Sequence, residues 1–499
     1  MKVAIAYPPL ASDKGVPLLS QNRQFQWFNQ PTYIYPVVPA CAATMAKQAG
    51  HDVYWLDGIA EAWTEDEFIR RISEIQPDVM MIEAKTPIIK AYWQWVDRIK
   101  SVLPACKSVF VGDHITAMPE ESLANCKVDY LLTGGDYDFL LINLLNHLQS
   151  PNPQSIPLEP GIWYRENNEV KNTGKFVCNH DLKTLPWIDR DLTHWRLYSV
   201  LNGDFRNTPG TYIMSGRDCW HGKCTFCSWT TLYPNFRTRD PLDVVNEIGE
   251  LIEKYRVKEI MDDTGTFPVG EWLSTFCHAI IERGYNKYVN INCNMRFGAL
   301  TYEDYKLMAK AGFRFVLFGF ESANQKTLDR IKKNLKVEQI TEGAKAARKA
   351  GIDVHVTIMF GFPWETSEDI DRTVKLARSL LIHGFAYTLQ VTQVTPYPGT
   401  PLFREAQENN WLVTEDWNDY DMRMNVMRGK VSEEKIKKAI RSVYRAFFHP
   451  LALWNRAVNT RHPVDDMKFY WRGFRSLIGH LKDFKPRNLS DFPAIGGPA

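Results

Sequence analysis

The sequence lacks the features that mark secreted, membrane-spanning and polyanion-binding proteins. Nine cysteines in 499 residues are too few and too odd in number for a disulfide framework. The apolar run Val3–Tyr7 is too short for a signal peptide, and no stretch approaches the roughly 18 apolar residues of a membrane span. The 60 basic and 58 acidic residues nearly cancel, so the overall charge does not favour nucleic acid. We therefore expect a protein of the reducing cytoplasm.

Residues 1–148 alternate short β-branched runs with stretches of helical spacing, such as Ile88–Val102. This alternation predicts an α/β fold that begins with a Rossmann-like, doubly wound parallel sheet. Ligands of such sheets bind beyond the carboxyl ends of the strands. The predicted strands are Val3–Tyr7, Asp52–Leu56, Asp78–Ile82, Ser108–Val111 and Val128–Leu132.

The remainder of the chain divides into three segments. A proline-rich stretch and two strand-like runs around Asn167-Asn168 predict a linker with a β-hairpin over residues 149–208. Residues 209–405 resume the alternation and predict a partial (β/α)6 barrel of the TIM type, with chemistry at the carboxyl ends of its strands. Residues 406–499 show no strand alternation, which predicts a helical C-terminal region. The strands predicted in the barrel are Tyr212–Ser215, Glu259–Met261, Val289–Asn292, Phe315–Phe318, Val354–Met359 and Leu389–Thr395.

Three of the nine cysteines, Cys219, Cys224 and Cys227, fall within nine residues directly after a predicted strand. Three closely spaced thiolates can hold three irons of a 4Fe-4S cluster and leave the fourth iron open. Structural zinc is the alternative, because His221 could complete a Cys3His set. The spacing alone leaves both alternatives open.

From this loop onward the sequence resembles the radical S-adenosylmethionine (radical SAM) enzymes. The resemblance is specifically to the group with an N-terminal cobalamin-binding domain, which includes an anaerobic Mg-protoporphyrin monomethyl ester cyclase and cobalamin-dependent methyltransferases. Phe226 stands at the aromatic position of that family's cysteine motif. Four residues, rather than the usual three, separate Cys219 from Cys224, and Gly222 allows the loop to absorb the extra residue. The resemblance implies a 4Fe-4S cluster.

Further motifs of the family follow in order along the predicted barrel. Asp262 and Asp263, after the second strand, match the segment that contacts the SAM amino group. Arg296, after the third strand, could bind the SAM carboxylate through two hydrogen bonds. The resemblance therefore implies a SAM site at these strand ends.

The fourth and fifth strands are also followed by family motifs. Gly319, Glu321 and Ser322 match a Gly-x-Glu-Ser element, in which the glutamate accepts the ribose hydroxyls of SAM and the serine assists. Glu365 and Thr366 belong to a Gly-x-Pro-x-Glu-Thr turn, and we expect them to cap the next helix.

The same resemblance implies cobalamin in the first domain. The Asp-x-His-x-x-Gly motif that supplies a histidine to cobalt in many cobalamin proteins is absent, since no glycine follows His114 in register. Small residues after the strands would still let the backbone approach a ligand closely. The residues expected to contact cobalamin are Pro9, Thr86, Gly112, His114, Gly134 and Gly135.

The activity implied by the resemblance is reductive cleavage of SAM to a 5′-deoxyadenosyl radical under anaerobic conditions, with electrons from a donor such as flavodoxin or ferredoxin. The implied function is C-methylation of an unactivated carbon, and an oxidative or cyclising reaction is the alternative within the family. A non-catalytic cobalamin or iron–sulfur sensor is the alternative outside enzymes.

The C-terminus differs in charge from the rest of the chain. From Lys430 onward, 14 Lys and Arg stand against six Asp and Glu, interleaved with aromatic residues such as Trp454 and Trp471. This pattern is typical of a helical cap over the barrel or of peripheral contact with an anionic membrane. A lipid or tetrapyrrole substrate would fit both, whereas no RNA-binding module is present to favour nucleic acid.

Overall fold

The computed structural model describes residues 1–17, 27–28, 31–167, 169–203 and 205–458. Asn168 of the predicted hairpin turn and residues 459–499 of the predicted helical region lie outside the described residues. Every helix among the described residues is too short or too polar to span a bilayer.

The first half of the chain alternates strands and helices as the sequence predicts. Its strands are β1 (Lys2–Tyr7), β2 (Val16–Pro17), β3 (Trp27–Phe28), β4 (Asp52–Asp57), β5 (Val79–Glu83), β6 (Lys107–Val111), β7 (Tyr130–Leu132), β8 (Ile162–Glu166) and β9 (Glu169–Asn172). Its helices are α1 (Val37–Gln48), α2 (Glu65–Ile75), α3 (Ile89–Val102), α4 (Asp113–Ala117), α5 (Pro119–Asn125) and α6 (Tyr137–Gln149).

Five parallel strands form the body of the first sheet, in the order β4-β1-β5-β6-β7. This order confirms the Rossmann-like, doubly wound sheet. The direction of strand addition reverses between β1 and β5, so the crevice at their carboxyl ends, here called the switch-point crevice, is where such sheets bind ligands. Strand β8 pairs antiparallel with β7, and β9 pairs antiparallel with β8, so the hairpin expected in the linker belongs to the first sheet.

The second half resumes the alternation. Its strands are β10 (Gly210–Ile213), β11 (Gly216–Arg217), β12 (Arg237–Thr238), β13 (Glu259–Asp262), β14 (Asn290–Met295), β15 (Phe313–Glu321), β16 (Asp353–Phe360) and β17 (Thr388–Gln393). Its helices are α7 (Trp229–Leu232), α8 (Pro241–Glu253), α9 (Glu271–Glu282), α10 (Tyr302–Lys310), α11 (Gln325–Arg330), α12 (Val337–Ala350), α13 (Ser367–Ile382), α14 (Pro401–Glu408), α15 (Glu433–Arg445) and α16 (Pro450–Val458).

Six of these strands form a parallel sheet in chain order, β10-β13-β14-β15-β16-β17. Since every neighbouring pair is parallel, all six carboxyl ends meet at one edge. The series of parallel strands is confirmed, and its closure into a barrel stays a prediction. One hydrophobic core contains residues of both sheets, such as Val79 of β5 and Val316 of β15, so the two halves pack together.

Candidate active site

The loop after β10 carries the three clustered thiols, Cys219, Cys224 and Cys227. These three cysteines are partly exposed, whereas the other six are buried. Cys219 Sγ lies 2.8 Å from Thr266 Oγ1, and the Cys227 amide donates a hydrogen bond of 3.3 Å to the Cys224 carbonyl oxygen. Partly exposed thiols held in one loop suit the ligands of an iron–sulfur cluster.

The structure does not assemble the Cys3His alternative. His221 Nε2 lies 2.7 Å from the carbonyl oxygen of Lys332, so this ring is bonded to a different loop. Among the described residues, no three His, Cys, Asp or Glu side chains gather around the position of a single metal ion. In a cubane cluster each thiolate binds a different iron, so the three thiols need not converge on the position of a single metal ion. The donor set therefore fits an iron–sulfur cluster.

Asp262 ends β13 in a buried position and is fully engaged in hydrogen bonds. Its carboxylate accepts from the Ser215 amide at 3.0 Å, from the Ser215 hydroxyl at 2.5 Å and from the Thr264 amide at 3.0 Å. Burial raises the pKa of Asp262, and these hydrogen bonds oppose the rise. Asp262 thus braces the start of the thiol-bearing loop, while the neighbouring Asp263 donates its amide to the Ile213 carbonyl at 2.9 Å.

Arg296 follows β14 and is buried rather than part of a surface salt bridge. Its guanidinium donates to the carbonyl oxygens of Lys333 and, at 3.4 Å, of Asn334. The same guanidinium lies 5.5 Å from the ring centroid of Trp220, next to Cys219 in the chain. Arg296 therefore joins β14, the thiol-bearing loop and the loop that follows α11.

Glu321 ends β15 with a backbone φ of +62°, at a shift in the register between β15 and β16. Its Oε1 accepts a hydrogen bond of 2.6 Å from the Lys333 ammonium, and both residues are buried. A Cβ at position 319 would lie 2.3 Å from Glu321 Oε1 and 2.9 Å from Lys333 Nζ. Gly319 is therefore required because a side chain there would displace this ion pair.

Ser322 directs its hydroxyl to Glu365 Oε1 at 2.6 Å, and Asn324 Nδ2 donates to the same oxygen at 3.2 Å. Glu365 and Thr366, in the turn after the fifth strand of the second sheet, are expected from the sequence to cap the next helix. This expectation is confirmed for Thr366, which caps α13 together with Asp369. It is wrong for Glu365, whose carboxylate binds the end of β15 instead of the helix. Burial raises the pKa of Glu365, with these donors opposing the rise.

Lys333 is the functional candidate that sequence reasoning missed. It follows a helix within a Lys-Lys pair, a pattern typical of a solvated loop, yet only 8% of its surface is exposed. Its ammonium lies 6.0 Å from the ring centroid of Phe226, between Cys224 and Cys227 in the chain. Burial raises the pKa of the Cys224 thiol, and the cations of Lys333 and Arg296 oppose that rise. No motif signal marks this lysine in the sequence.

The residues expected to contact cobalamin are placed at the strand ends of the first sheet, but most are engaged with protein atoms. His114 is buried, with Nδ1 3.2 Å from Thr86 Oγ1 and Nε2 3.0 Å from Glu121 Oε2. Both ring nitrogens are occupied, so in this conformation the expected histidine does not offer one to a ligand. The Pro9 carbonyl accepts a hydrogen bond of 3.0 Å from Trp95.

The glycines of this edge are also explained by packing. A Cβ at Gly112 would lie 2.4 Å from the Ala84 carbonyl oxygen. At Gly135 it would lie 1.8 Å from the ring of Tyr233, and at Gly134 it would lie 2.4 Å from the ring of Phe176. These positions admit close protein neighbours, which is a sufficient reason for glycine without a ligand.

The switch-point crevice itself holds buried polar groups that the sequence did not single out. The Tyr7 hydroxyl donates to Glu83 Oε2 at 2.7 Å, and Lys85 Nζ forms a buried ion pair with Glu83 Oε1 at 3.1 Å. Within the described structure these two ion-paired atoms, and the hydroxyls of Tyr92 and Tyr137, make no hydrogen bond. Because buried polar groups are normally hydrogen-bonded, this crevice fits a polar ligand such as the amide-rich edge of a corrinoid.

A buried cluster of charges joins the two halves beside the thiol-bearing loop. Arg217, two residues before Cys219, donates to Asp136 at 2.9 Å and to Asp138 at 2.9 Å, both at the start of α6. Arg237 and His180 also bind Asp136, at 2.7 Å and 2.9 Å. Such a cluster fixes the loop relative to the strand ends of the first sheet.

The comparison with protein families agrees with this geometry. The radical SAM superfamily matches residues 213–377, which contain the thiol-bearing loop, Arg296 and Glu321. The B12-binding domain matches residues 31–138, which contain Lys85 and the strand ends around Gly112.

Two curated relatives extend over most of the chain. It is similar to an uncharacterized methyltransferase of Pyrococcus horikoshii, with 28% identity over 417 residues that cover 83% of this chain and 87% of that protein. It is also similar to the anaerobic magnesium-protoporphyrin IX monomethyl ester cyclase of Cereibacter sphaeroides, with 24% identity over 460 residues that cover 88% of this chain and 69% of that protein.

Two solved structures share the fold. The radical SAM methyltransferase TsrM from Kitasatospora setae, with cobalamin and a 4Fe-4S cluster bound, superposes with a TM-score of 0.65 at 14% identity, over 89% of this chain and 88% of TsrM. The cobalamin-dependent radical SAM enzyme OxsB gives 0.70 at 14% identity, over 96% of this chain and 71% of OxsB. Residues 213–377 therefore form a radical SAM domain and residues 31–138 form a B12-binding domain, and these two domains imply a 4Fe-4S cluster, SAM and cobalamin as the cofactors.

Proposed function

We propose that the protein methylates an unactivated carbon by cobalamin-dependent radical SAM chemistry. The observation that carries the proposal is the junction between the halves, where Arg217 of the thiol-bearing loop pairs with Asp136 and Asp138. This pairing holds the loop beside the strand ends of the B12-binding domain. A radical formed at the loop and a methyl group bound on that domain would then lie close to each other. The domain limits that we propose are 1–148, 149–208, 209–405 and 406–499.

The second half supplies the residues for the cluster and SAM. When bound, these two groups provide the 5′-deoxyadenosyl radical. We assign Cys219, Cys224 and Cys227 to hold the cluster. We assign Glu321, held in place by Lys333, to accept hydroxyl groups of SAM, because a buried carboxylate offers an acceptor at a fixed position. The other residues that we assign to the SAM site are Phe226, Asp262, Asp263, Arg296, Gly319 and Ser322.

The first half supplies the site for cobalamin, which when bound provides the methyl group. We assign the switch-point crevice to this role, because it holds the buried Glu83–Lys85 ion pair and the hydroxyls of Tyr92 and Tyr137, which make no hydrogen bond in the described structure. These groups can donate to or accept from the polar edge of the corrinoid. We place His114 outside the ligands of cobalt, since its two ring nitrogens are already bonded.

A cyclisation is the second candidate function. The similarity to the Cereibacter sphaeroides cyclase extends over 88% of this chain, as far as the similarity to the methyltransferase of Pyrococcus horikoshii. A cyclase of this type would cleave SAM without transferring its methyl group to the product. The fate of that methyl group therefore separates the two functions.

The proposed partners are a small-molecule substrate of the tetrapyrrole or lipid class and an electron donor such as flavodoxin or ferredoxin. We also propose peripheral membrane contact through α16, where Leu451, Leu453 and Trp454 are 53%, 50% and 65% exposed. Exposed apolar side chains on a helix within a basic segment suit an anionic membrane surface. Co-sedimentation with anionic vesicles, compared with neutral vesicles, tests this contact.

The fate of the methyl group is measured with methyl-labelled SAM, reductant and anaerobically reconstituted protein. Bacteriochlorophyllide d and Mg-protoporphyrin IX monomethyl ester serve as the two tetrapyrrole probes. Labelled methylated product supports the proposal. Turnover of the monomethyl ester to an unlabelled, ring-closed product favours the cyclase, and 5′-deoxyadenosine without any change in either probe excludes both tetrapyrroles as substrates.

A further inference from the structure

Four consecutive residues after α11, Ile331 to Asn334, connect the parts of the candidate site to one another. The Ile331 carbonyl accepts the Thr225 amide at 3.1 Å, and the Lys332 carbonyl lies 2.7 Å from His221 Nε2. Both contacts come from the thiol-bearing loop. The carbonyl oxygens of the next two residues accept from Arg296, at the end of β14. This segment, here called the bridging loop, therefore contacts both the thiol-bearing loop and Arg296 at the end of β14.

The side chain of Lys333 places a positive charge at the centre of this arrangement. Its ammonium is 2.6 Å from Glu321 Oε1 and 6.0 Å from the ring of Phe226. Burial opposes the charged ammonium, but the Glu321 carboxylate raises the pKa of Lys333. In a buried site such a charge is only weakly screened by water.

Glu321 depends on this lysine for its position. Its backbone occupies the left-handed region, with φ of +62°, where residues other than glycine are strained unless their surroundings hold them. Gly319 leaves space for the ion pair, because a Cβ at this position would lie within 3 Å of both the Glu321 carboxylate and the Lys333 ammonium. Removal of Lys333 would leave a buried carboxylate without its partner.

We propose that Lys333 is a positioning residue that fixes Glu321 for SAM binding and, through its charge, raises the reduction potential of the cluster held by Cys219, Cys224 and Cys227. This inference rests on the proposed function and deepens it. A nearby cation stabilises the more negative, reduced form of a cluster, and a nearby carboxylate has the opposite effect. The two members of the ion pair therefore act on the potential with opposite signs.

The test uses the full-length protein with its cluster reconstituted under anaerobic conditions. The variants are Lys333→Met, Glu321→Gln and the double variant, with Lys326→Met as the control, because Lys326 is an exposed lysine on α11 that loses the same charge. The first readout is the midpoint potential of the cluster, from a redox titration followed by electron paramagnetic resonance without SAM. The second readout is the dissociation constant of SAM.

We expect Lys333→Met to lower the midpoint potential, Glu321→Gln to raise it and the double variant to fall between the two. We expect the dissociation constant of SAM to rise about tenfold or more in Lys333→Met, because a buried charge loses its partner. The control should match the wild type in both readouts. A merely structural lysine would not shift the potential in opposite directions in the two single variants.

Single-variant potentials that match the control, or that shift in the same direction, overturn the inference, as does an unchanged dissociation constant of SAM in Lys333→Met. Should Lys333→Met fail to fold, Glu321→Gln decides alone, since an unmoved or lowered potential contradicts the account. These readouts need no substrate, so an absence of methyl transfer would count against the proposed function only. A wild-type protein that takes up no cluster would overturn both.

Discussion

Two residues predicted at the strand ends of the second sheet contact the same loop in the structure, whereas those predicted at the first sheet contact other parts of the protein. At the second sheet, the predicted residues Arg296 and Glu321 both contact the bridging loop beside the predicted thiols. At the first sheet, the predicted glycines pack against protein atoms, and the predicted His114 has both ring nitrogens bonded. A buried charged residue at a strand end needs a partner, so its presence in the sequence indicates a polar site there. A glycine serves tight packing and ligand approach equally well, so its presence alone does not distinguish them.

The largest effect should follow from removal of the thiols in the second half. Replacement of Cys219, Cys224 and Cys227 with Ala should abolish cluster iron and SAM cleavage, because three irons lose their ligands. Iron and sulfide analysis with 5′-deoxyadenosine detection measures this. Cys277→Ala is the matched control, since Cys277 is buried in α9 and should leave the cluster in place. Retained SAM cleavage in the triple variant would refute the assignment of the thiols.

The next effect concerns the junction between the two halves. Arg217→Met should lower the free energy of unfolding by about 3–5 kcal/mol, because Asp136 and Asp138 would lose a buried cationic partner. Arg70→Met, which removes the exposed ion pairs of α2 with Glu67 and Glu74, should cost far less, because exposed pairs contribute little to stability. Urea denaturation of the two variants gives the comparison, and equal losses would show that the junction does not hold the halves together.

A pair of variants in the first half tests the contrast between predicted and observed cobalamin contacts. Lys85→Met should weaken the binding of hydroxocobalamin about tenfold, because the switch-point crevice would lose a buried donor. His114→Gln should leave the dissociation constant within about twofold and the electron paramagnetic resonance spectrum of the reduced cobalt unchanged. Lys107→Met, at the opposite end of β6, is the control. Loss of a nitrogen signal from cobalt in His114→Gln would restore the histidine as its ligand.

The smallest effect is a pH dependence at the junction. A hydrogen bond to Asp136 holds the pKa of His180 above its ordinary value of 6.5. The charged form of His180 therefore stabilises the folded state fully below the unfolded pKa, and this contribution is lost as pH rises through the raised pKa. The free energy of unfolding should therefore fall by about 1 kcal/mol or less between pH 5 and 9. Melting temperatures measured across this range report the change. His180→Gln should remove this slope, and an identical slope in the variant would contradict the assignment.

Much of the fold could be predicted from the sequence, because β-branched runs alternating with helical spacing define both parallel sheets. The thiols, Arg296 and Glu321 could be predicted through motifs that follow strands. Lys333 could not, because only tertiary packing buries a lysine that sits in a cationic loop. Lys85 could not either, since its burial depends on the elements that cover the switch-point crevice.

The most direct test of the central claim is the composition and chemistry of anaerobically prepared protein. We expect about four irons and four sulfides per chain, one corrinoid, and formation of 5′-deoxyadenosine from SAM when the protein is reduced. Colourless protein that contains stoichiometric zinc, binds no corrinoid and leaves SAM intact would contradict the central claim.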